Sequence, residues 1–341
     1  MHIALDVMGS DRGADELVSG ALQALQESSI KITLVGDEEA ISSALAKRRQ
    51  DPAISILPTS QVVTMDDSPI DAIRKKKDSS MVRAFELIKQ QEVDAVVSAG
   101  NSGAVMASAI KFLGRLKNIN RPAIASVFPT LKGPVVMADV GANVDCRPKH
   151  LYQFGVMASA FSKIMFGIDE PRVGLLSIGE EGGKGNALVK KTHELLSASN
   201  LNFIGNVEGR DTFQGDVDVI VCDGFVGNVC LKLSEGLAES MLTMLRDEIA
   251  KTFKAKMGYF LAKKAFGNFK KRVDYAEYGG APLLGLNGTG IICHGRSNAK
   301  AIKNAILVAD ELASNRVNDH ILANLALDEA GLKSPEKVNG Q

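Results

Sequence analysis

The sequence predicts an α/β chain folded as a doubly wound α/β/α sandwich, with a projecting amphipathic helical element. Three observations predict it. Short runs rich in Val and Ile alternate with helical patterns, several of these runs are apolar at nearly every position, and most end in or are followed by Gly, Asp, Asn or Ser. Such runs are expected of parallel strands buried on both faces, and the polar turn at the carboxyl end is where ligands of such sheets collect.

In chain order the predicted strands are IALDV (3–7), KITLVG (31–36), ISIL (54–57), DAVVSAG (94–100), AIASVF (123–128), PVVMADVG (134–141), RVGLLSIG (172–179) and VDVIVCDG (217–224). Their Gly-rich ends are expected at one sheet edge. No internal repeat, low-complexity tract or Pro-rich linker divides the chain, so residues 1–330 are expected as a single catalytic α/β domain. A helical projection spans about 228–278, and a polar flexible tail 331–341 follows.

Composition narrows the function classes. With 341 residues, 45% of them hydrophobic, the chain can bury a large core. Basic and acidic residues balance at 40 each, which gives no reason to expect nucleic acid as a partner. The start MHIALD lacks the basic and apolar regions of a secretion signal, so a cytoplasmic protein is expected. No apolar run approaches the ~20 residues of a spanning helix, which leaves open a protein resting on a membrane surface. Cys146, Cys222, Cys230 and Cys293 form no Cys-x-x-Cys pair and read as buried reduced thiols rather than zinc ligands or a disulfide framework. No metal or cofactor is expected.

The turns carry the chemistry. Ser98–Gly103 supplies Gly100, Asn101 and Ser102 just before an apolar helix, and it reads equally as a plain strand-to-helix turn or as an anion cradle at a helix N-terminus. Asp78-Ser79-Ser80 follows the run Arg74–Lys77. Ser79 and Ser80 there serve either as a cap beside solvated charges or as an anion site. The loop GEEGGKGN sets Lys184 among glycines, followed by Gly185 and Asn186. It is not a Walker A loop, which needs Ser or Thr after the Lys, and no Gly-x-Gly-x-x-Gly occurs in the chain.

Taken in order, DVMGSD, VSAGNSGA, RPA, DVGANVDC, IGEEGGKGN, GNVEGRD, VCDGFVGN, GGAPLLG and HGRS resemble the acyl-ACP:phosphate acyltransferase family of phospholipid synthesis, from Ile3 to about Leu312. The resemblance implies transfer of a long-chain fatty acyl group from acyl carrier protein (ACP) to inorganic phosphate, on a fold like that of isocitrate and isopropylmalate dehydrogenases. It also implies a homodimer associated peripherally with membranes, and a downstream glycerol-3-phosphate acyltransferase as a further partner. Those dehydrogenases carry a metal-binding carboxylate in the turn where this chain has Asn228. An amide is a poor Mg²⁺ ligand but can donate to an oxyanion.

By that resemblance Lys184 and Asn228 form the catalytic pair, Lys184 holding phosphate and Asn228 with loop N–H groups binding the tetrahedral oxyanion. Asp6, Gly9, Arg12, Ser79, Ser80, Gly100, Asn101, Ser102, Asn143, Gly185, Asn186 and His294 are the expected phosphate or substrate contacts. Relatives read Met-Gly-Gly-Asp-His-Ala-Pro where this chain has Met8-Gly9-Ser10-Asp11-Arg12-Gly13-Ala14. A proton-transfer role for that histidine therefore has no bearer, although Arg12 can bind an anion. His294 is a lone histidine that reads as structural or catalytic.

From Lys251 to Val273 there are eight basic residues and no acidic one, interleaved with apolar side chains. Gly258 interrupts the helical spacing of Phe253, Met257, Phe260 and Leu261, so two helices meeting at an apolar tip are expected. With Lys254, Lys263 and Lys264 this surface suits dimer packing, acidic ACP, or anionic lipid at ~1 kcal/mol per basic residue. Two other functions remain in play: a short-chain acyltransferase using acetyl-CoA and phosphate, and a non-catalytic scaffold for carrier protein.

Overall fold

The computed structural model describes residues 1–48 and 51–332. Eleven strands form one mixed sheet: β1 (His2–Asp6), β2 (Lys31–Gly36), β3 (Ile54–Pro58), β4 (Ala95–Ser98), β5 (Ala123–Pro129), β6 (Pro134–Ala138), β7 (Val173–Leu176), β8 (Phe203–Val207), β9 (Val219–Val221), β10 (Ala281–Leu284) and β11 (Thr289–Ile292), in the spatial order β3-β2-β1-β4-β11-β10-β5-β6-β9-β7-β8. The helices are α1 (Ala14–Leu25), α2 (Glu38–Ala46), α3 (Pro69–Lys75), α4 (Ser80–Lys89), α5 (Ser102–Leu113), α6 (Pro148–Phe166), α7 (Ala187–Ser197), α8 (Gly224–Lys251), α9 (Phe253–Leu261), α10 (Lys263–Val273), α11 (Ala299–Ser314) and α12 (Val317–Leu332). The expected tail from residue 333 onward lies outside the described residues.

Side-chain alternation along each strand divides the core in two. Ile3 and Leu5 of β1 point into one cluster with Leu17, Val18 and Ile302, whereas Ala4 between them points into another with Ala84 and Phe85. On β9, Val219 and Val221 meet Phe154 and Phe161 of α6, and Ile220 faces the other way. Helices α1, α2, α6, α7, α11 and α12 thus cover one face and α3, α4 and α5 the other, which is why several strands carry apolar residues at nearly every position.

Strand direction corrects one expectation. Strands β1 to β4 and β11 run parallel, as do β6 to β9, but β10 is antiparallel to both β11 and β5, and β5 is antiparallel to β6. Three reversals leave the two blocks pointing oppositely. The Gly-rich strand ends therefore divide between the two edges of the sheet rather than collecting at one.

Helix α8 has Gly224 and Gly227 buried, and Cys230 and Leu231 pack partly buried against the second core cluster. Along its outer side Phe225, Val229, Leu233, Leu237, Met241 and Leu245 repeat every four residues and are all exposed. Gly258 does not break the helical tip, because it sits inside α9. The breaks fall at Thr252, whose hydroxyl accepts from Ala255 N at 3.2 Å as an N-cap, and at Ala262. An exposed glycine costs a helix roughly 1 kcal/mol without stopping it, whereas a capping Thr in extended conformation starts a new one. Among the described residues no helix is long and apolar enough to cross a membrane.

Candidate active site

One edge of the sheet carries the ends of β6, β9 and β7, which are followed by the loops of Asn143 and Lys184 and by the start of α8 with Asn228. The loop after β6 is built around Asp139. Its buried carboxylate accepts from the backbone N–H groups of Ile124, Gly141, Ala142 and Asn143 at 2.7–3.2 Å and from Asn143 Nδ2 at 2.9 Å. Burial still holds the Asp139 carboxyl above its ordinary range. Asn143 also donates to Pro122 O at 2.7 Å, so its side chain staples the loop.

Helix α8 starts on top of this loop. Gly224 N donates to Asn143 O at 2.8 Å, and a Cβ at Gly227 would stand 2.0 Å from Asp139 O. Only glycine permits that approach. It seats the next residue, Asn228, against Gly141, with the amide carbon 3.8 Å from where a Cβ on Gly141 would lie. The amide itself is exposed.

Backbone donors here are already taken. Asp223 caps α8 by accepting from Phe225 N and Val226 N at 3.0 and 2.9 Å, and Asp139 holds the N–H groups of 141–143. The Asn228 amide and groups of the Lys184 loop are donors on this edge that neither Asp139 nor Asp223 holds. That loop follows β7 as a turn closed by Lys184 N donating to Glu181 O at 2.9 Å. Gly185 holds φ +92°, a conformation favouring glycine, and has Val189 Cγ1 2.8 Å from its Cβ position. Asn186 caps α7 by accepting from Val189 N at 2.9 Å, and Lys184 is exposed.

The other edge gathers the ends of β1, β4 and β11. Asp6 is buried there, accepts from Ser98 Oγ at 2.7 Å, and is pushed above the usual carboxylate range by burial against the pull of Ser80 and Ser98. Gly9 and Gly100 touch backbone to backbone, a Cβ on Gly9 falling 2.5 Å from Gly100 Cα. Ser79 caps α4 by accepting from Val82 N, while Ser80 lies buried beside it. Asn101 caps α5 and donates to Met65 O at 2.9 Å and Asp67 O at 3.1 Å, and Ser102 is the first residue of that helix. Arg12 Nε donates to Arg296 O at 2.7 Å, and His294 Nδ1 accepts from Arg296 N at 3.1 Å.

The side chains of Asn101, Asn143, Asn186 and Ser79 thus shape loops and helix starts. Asp139, Asp223 and Ser98 are organising residues that sequence reasoning missed. For the two aspartates the available signal was a carboxylate closing an apolar strand ahead of glycine, as in ADVG and CDGFVG.

Residues 1–320 match the family model described as fatty acid synthesis protein. The chain is 54% identical to a phosphate acyltransferase of Geotalea daltonii over 326 residues, covering 95% of this chain and 94% of that one. It is 49% identical to one of Thermodesulfovibrio yellowstonii over 340 residues, covering 99% and 98%. In fold it is similar to a phosphotransacetylase from Streptococcus pyogenes (TM-score 0.64, 17% identity, 92% and 94% covered). It is also similar to a 4-hydroxythreonine-4-phosphate dehydrogenase from Klebsiella pneumoniae (TM-score 0.52, 16% identity, 92% and 98% covered). With half its residues identical along almost its whole length to phosphate acyltransferases, the chain belongs to the phosphate acyltransferase family and is an acyltransferase that works with phosphate.

Proposed function

We propose that the chain transfers a long-chain acyl group from acyl-ACP to inorganic phosphate, releasing ACP thiol and acyl phosphate for phospholipid synthesis. A phosphate oxygen attacks the thioester carbonyl carbon, a C–O bond forms, and the C–S bond breaks as the thiolate leaves and takes a proton from solvent. Phosphate is already ionised near neutral pH, so positioning and charge neutralisation carry the reaction rather than a general base. Lys184 holds the phosphate and steadies its charge. Asn228 donates to the tetrahedral oxyanion, together with N–H groups of the Lys184 loop. The observation that carries this reading is Asn228 seated by Gly227 on the 139–143 loop, beside the strand whose following turn presents Lys184.

The second edge, with Gly9, Arg12, Ser79, Ser80, Gly100, Asn101, Ser102 and His294, is assigned to further phosphate and carrier-arm contacts. Helices α4 and α5 both start at this edge, and helix N-termini favour negative charge, which supports the assignment. The exposed stripe of α8 suits packing against a second copy. The tip, with Phe253, Phe260 and Leu261 at 70–81% exposure among lysines, suits a cytoplasmic protein resting on anionic lipid or docking acidic ACP. The sheet is assigned to the isocitrate and isopropylmalate dehydrogenase class, which the fold likeness to a hydroxythreonine-phosphate dehydrogenase supports.

The test is incubation of purified protein with palmitoyl-ACP, with and without phosphate. Thiol release that requires phosphate, matched by acyl phosphate trapped as the hydroxamate, is expected. No release by folded protein would refute the long-chain acyl-ACP reading and leave the short-chain acyl transfer from acetyl-CoA to phosphate to be tested.

A further inference from the structure

The motif GNVEGRD begins within β8, the strand paired with β7 ahead of the Lys184 loop, yet the reaction scheme gives it no task. Asn206, in that motif on β8, is paired with Leu175 of β7 and is 5% exposed. Its Nδ2 donates at 2.9 Å to the carbonyl of Glu181, the same carbonyl that accepts from Lys184 N at 2.9 Å. Its Oδ1 is buried with no hydrogen-bond partner. The amide cannot be turned over, because that would set its oxygen against the Glu181 oxygen. A second link from the motif, Arg210 to Glu180 at 3.5 Å, joins side chains that are 70% and 68% exposed and so contributes little. The buried amide bond is therefore the one that anchors the turn from below.

We infer that Asn206 is a positioning residue for Lys184, holding the 181–184 turn through the Glu181 carbonyl so that the lysine meets phosphate in a fixed place. The inference rests on the proposed role of Lys184. A buried hydrogen bond is retained where the structure needs a unique geometry, and removing its donor leaves the carbonyl short of one partner and the turn free to open. Gly185, crowded against Val189, transmits the position of the turn into the start of α7.

The experiment compares Asn206→Ala in the wild-type and Lys184→Ala backgrounds, measuring KM for phosphate, KM for palmitoyl-ACP, kcat, and hydrogen exchange of segment 181–186. Asn206→Ser, a smaller change, carries the same comparison if the alanine variant does not fold. In the wild-type background, KM for phosphate is expected to rise about ten-fold with KM for palmitoyl-ACP within about two-fold, and exchange of 181–186 to quicken. In the Lys184→Ala background, adding Asn206→Ala is expected to change kcat/KM for phosphate by less than about two-fold, since both act through one cation. An equal loss in both backgrounds, or an unchanged phosphate KM and exchange rate, would overturn the positioning role. If Lys184→Ala alone left phosphate turnover intact, the reading of Lys184 would fail and this inference with it.

Discussion

Gly227→Ala puts the seating of α8 under direct strain. The new Cβ would stand 2.0 Å from Asp139 O, 3.0 Å from its carbonyl carbon and 2.9 Å from Cys222 Sγ. A carbon–oxygen contact relaxes near 3.3 Å, so the first turn of α8 must retreat by about 1.3 Å. Overpacking of this kind costs roughly 1–3 kcal/mol of stability. The catalytic cost is expected to be larger. Asn228 is the next residue, and a shift of about 1 Å in a positioned group costs on the order of 100-fold in rate. The assay pairs phosphate-dependent thiol release with thermal unfolding, and Gly236→Ala serves as the control on the same helix. Gly236 is exposed with nothing within 4 Å of its Cβ position, so alanine there should stabilise by up to about 1 kcal/mol with activity within about two-fold. A folded Gly227→Ala protein with nearly wild-type turnover would refute the claim that this contact positions Asn228.

Asp218 offers a pH prediction. Burial raises its pKa, but Arg172 donates from Nε and Nη2 at 2.9 Å and from its backbone N at 2.8 Å, leaving the carboxyl below its usual range. A lowered folded pKa gives stability that is present above the unfolded value of about 3.9 and lost as pH falls through the folded value. Asp218→Asn should therefore cost about 1–2 kcal/mol at pH 7, after discounting for the 40% exposure of Arg172. The gap between variant and wild type should close below about pH 4 in denaturant titrations; a gap constant with pH would contradict the sign. At the tip, Phe260→Ser with Leu261→Ser removes two side chains that are 70% and 81% exposed. Co-sedimentation with phosphatidylglycerol vesicles should weaken by at least about ten-fold, as each lost apolar burial is worth up to ~1.5–3 kcal/mol, and unchanged binding would remove the tip from membrane contact.

The core strands were legible because Val and Ile fill both of their faces, as in KITLVG and VDVIVCDG. The strands β8, β10 and β11 were not. Phe-Ile-Gly-Asn-Val carries a bulge and a buried amide, and the other two are only four residues long and separated by Gly285-Leu286-Asn287-Gly288. Strand direction was also hidden, since a strand covered on both faces has the same composition whether its neighbours run with it or against it. That is why the Gly-rich turns were expected at one edge. Within the site, Lys184 and Asn228 stood out through the family resemblance, whereas Asp139 and Asn206 did not. Their partners are backbone N–H and C=O groups of distant segments, and no spacing in the sequence marks such a bond. Helix starts at Ser79, Asn101 and Asn186 were easier, because a capping side chain acts on the residues just after it.

The measurement that bears most directly on the account is phosphate-dependent thiol release from palmitoyl-ACP by the wild type, Lys184→Ala and Asn228→Ala, each checked for native unfolding. Both variants are expected to lose at least about 100-fold in turnover while remaining folded, the typical cost of removing a transition-state donor. Turnover within a few-fold of wild type in either folded variant would contradict the assignment of the catalytic pair.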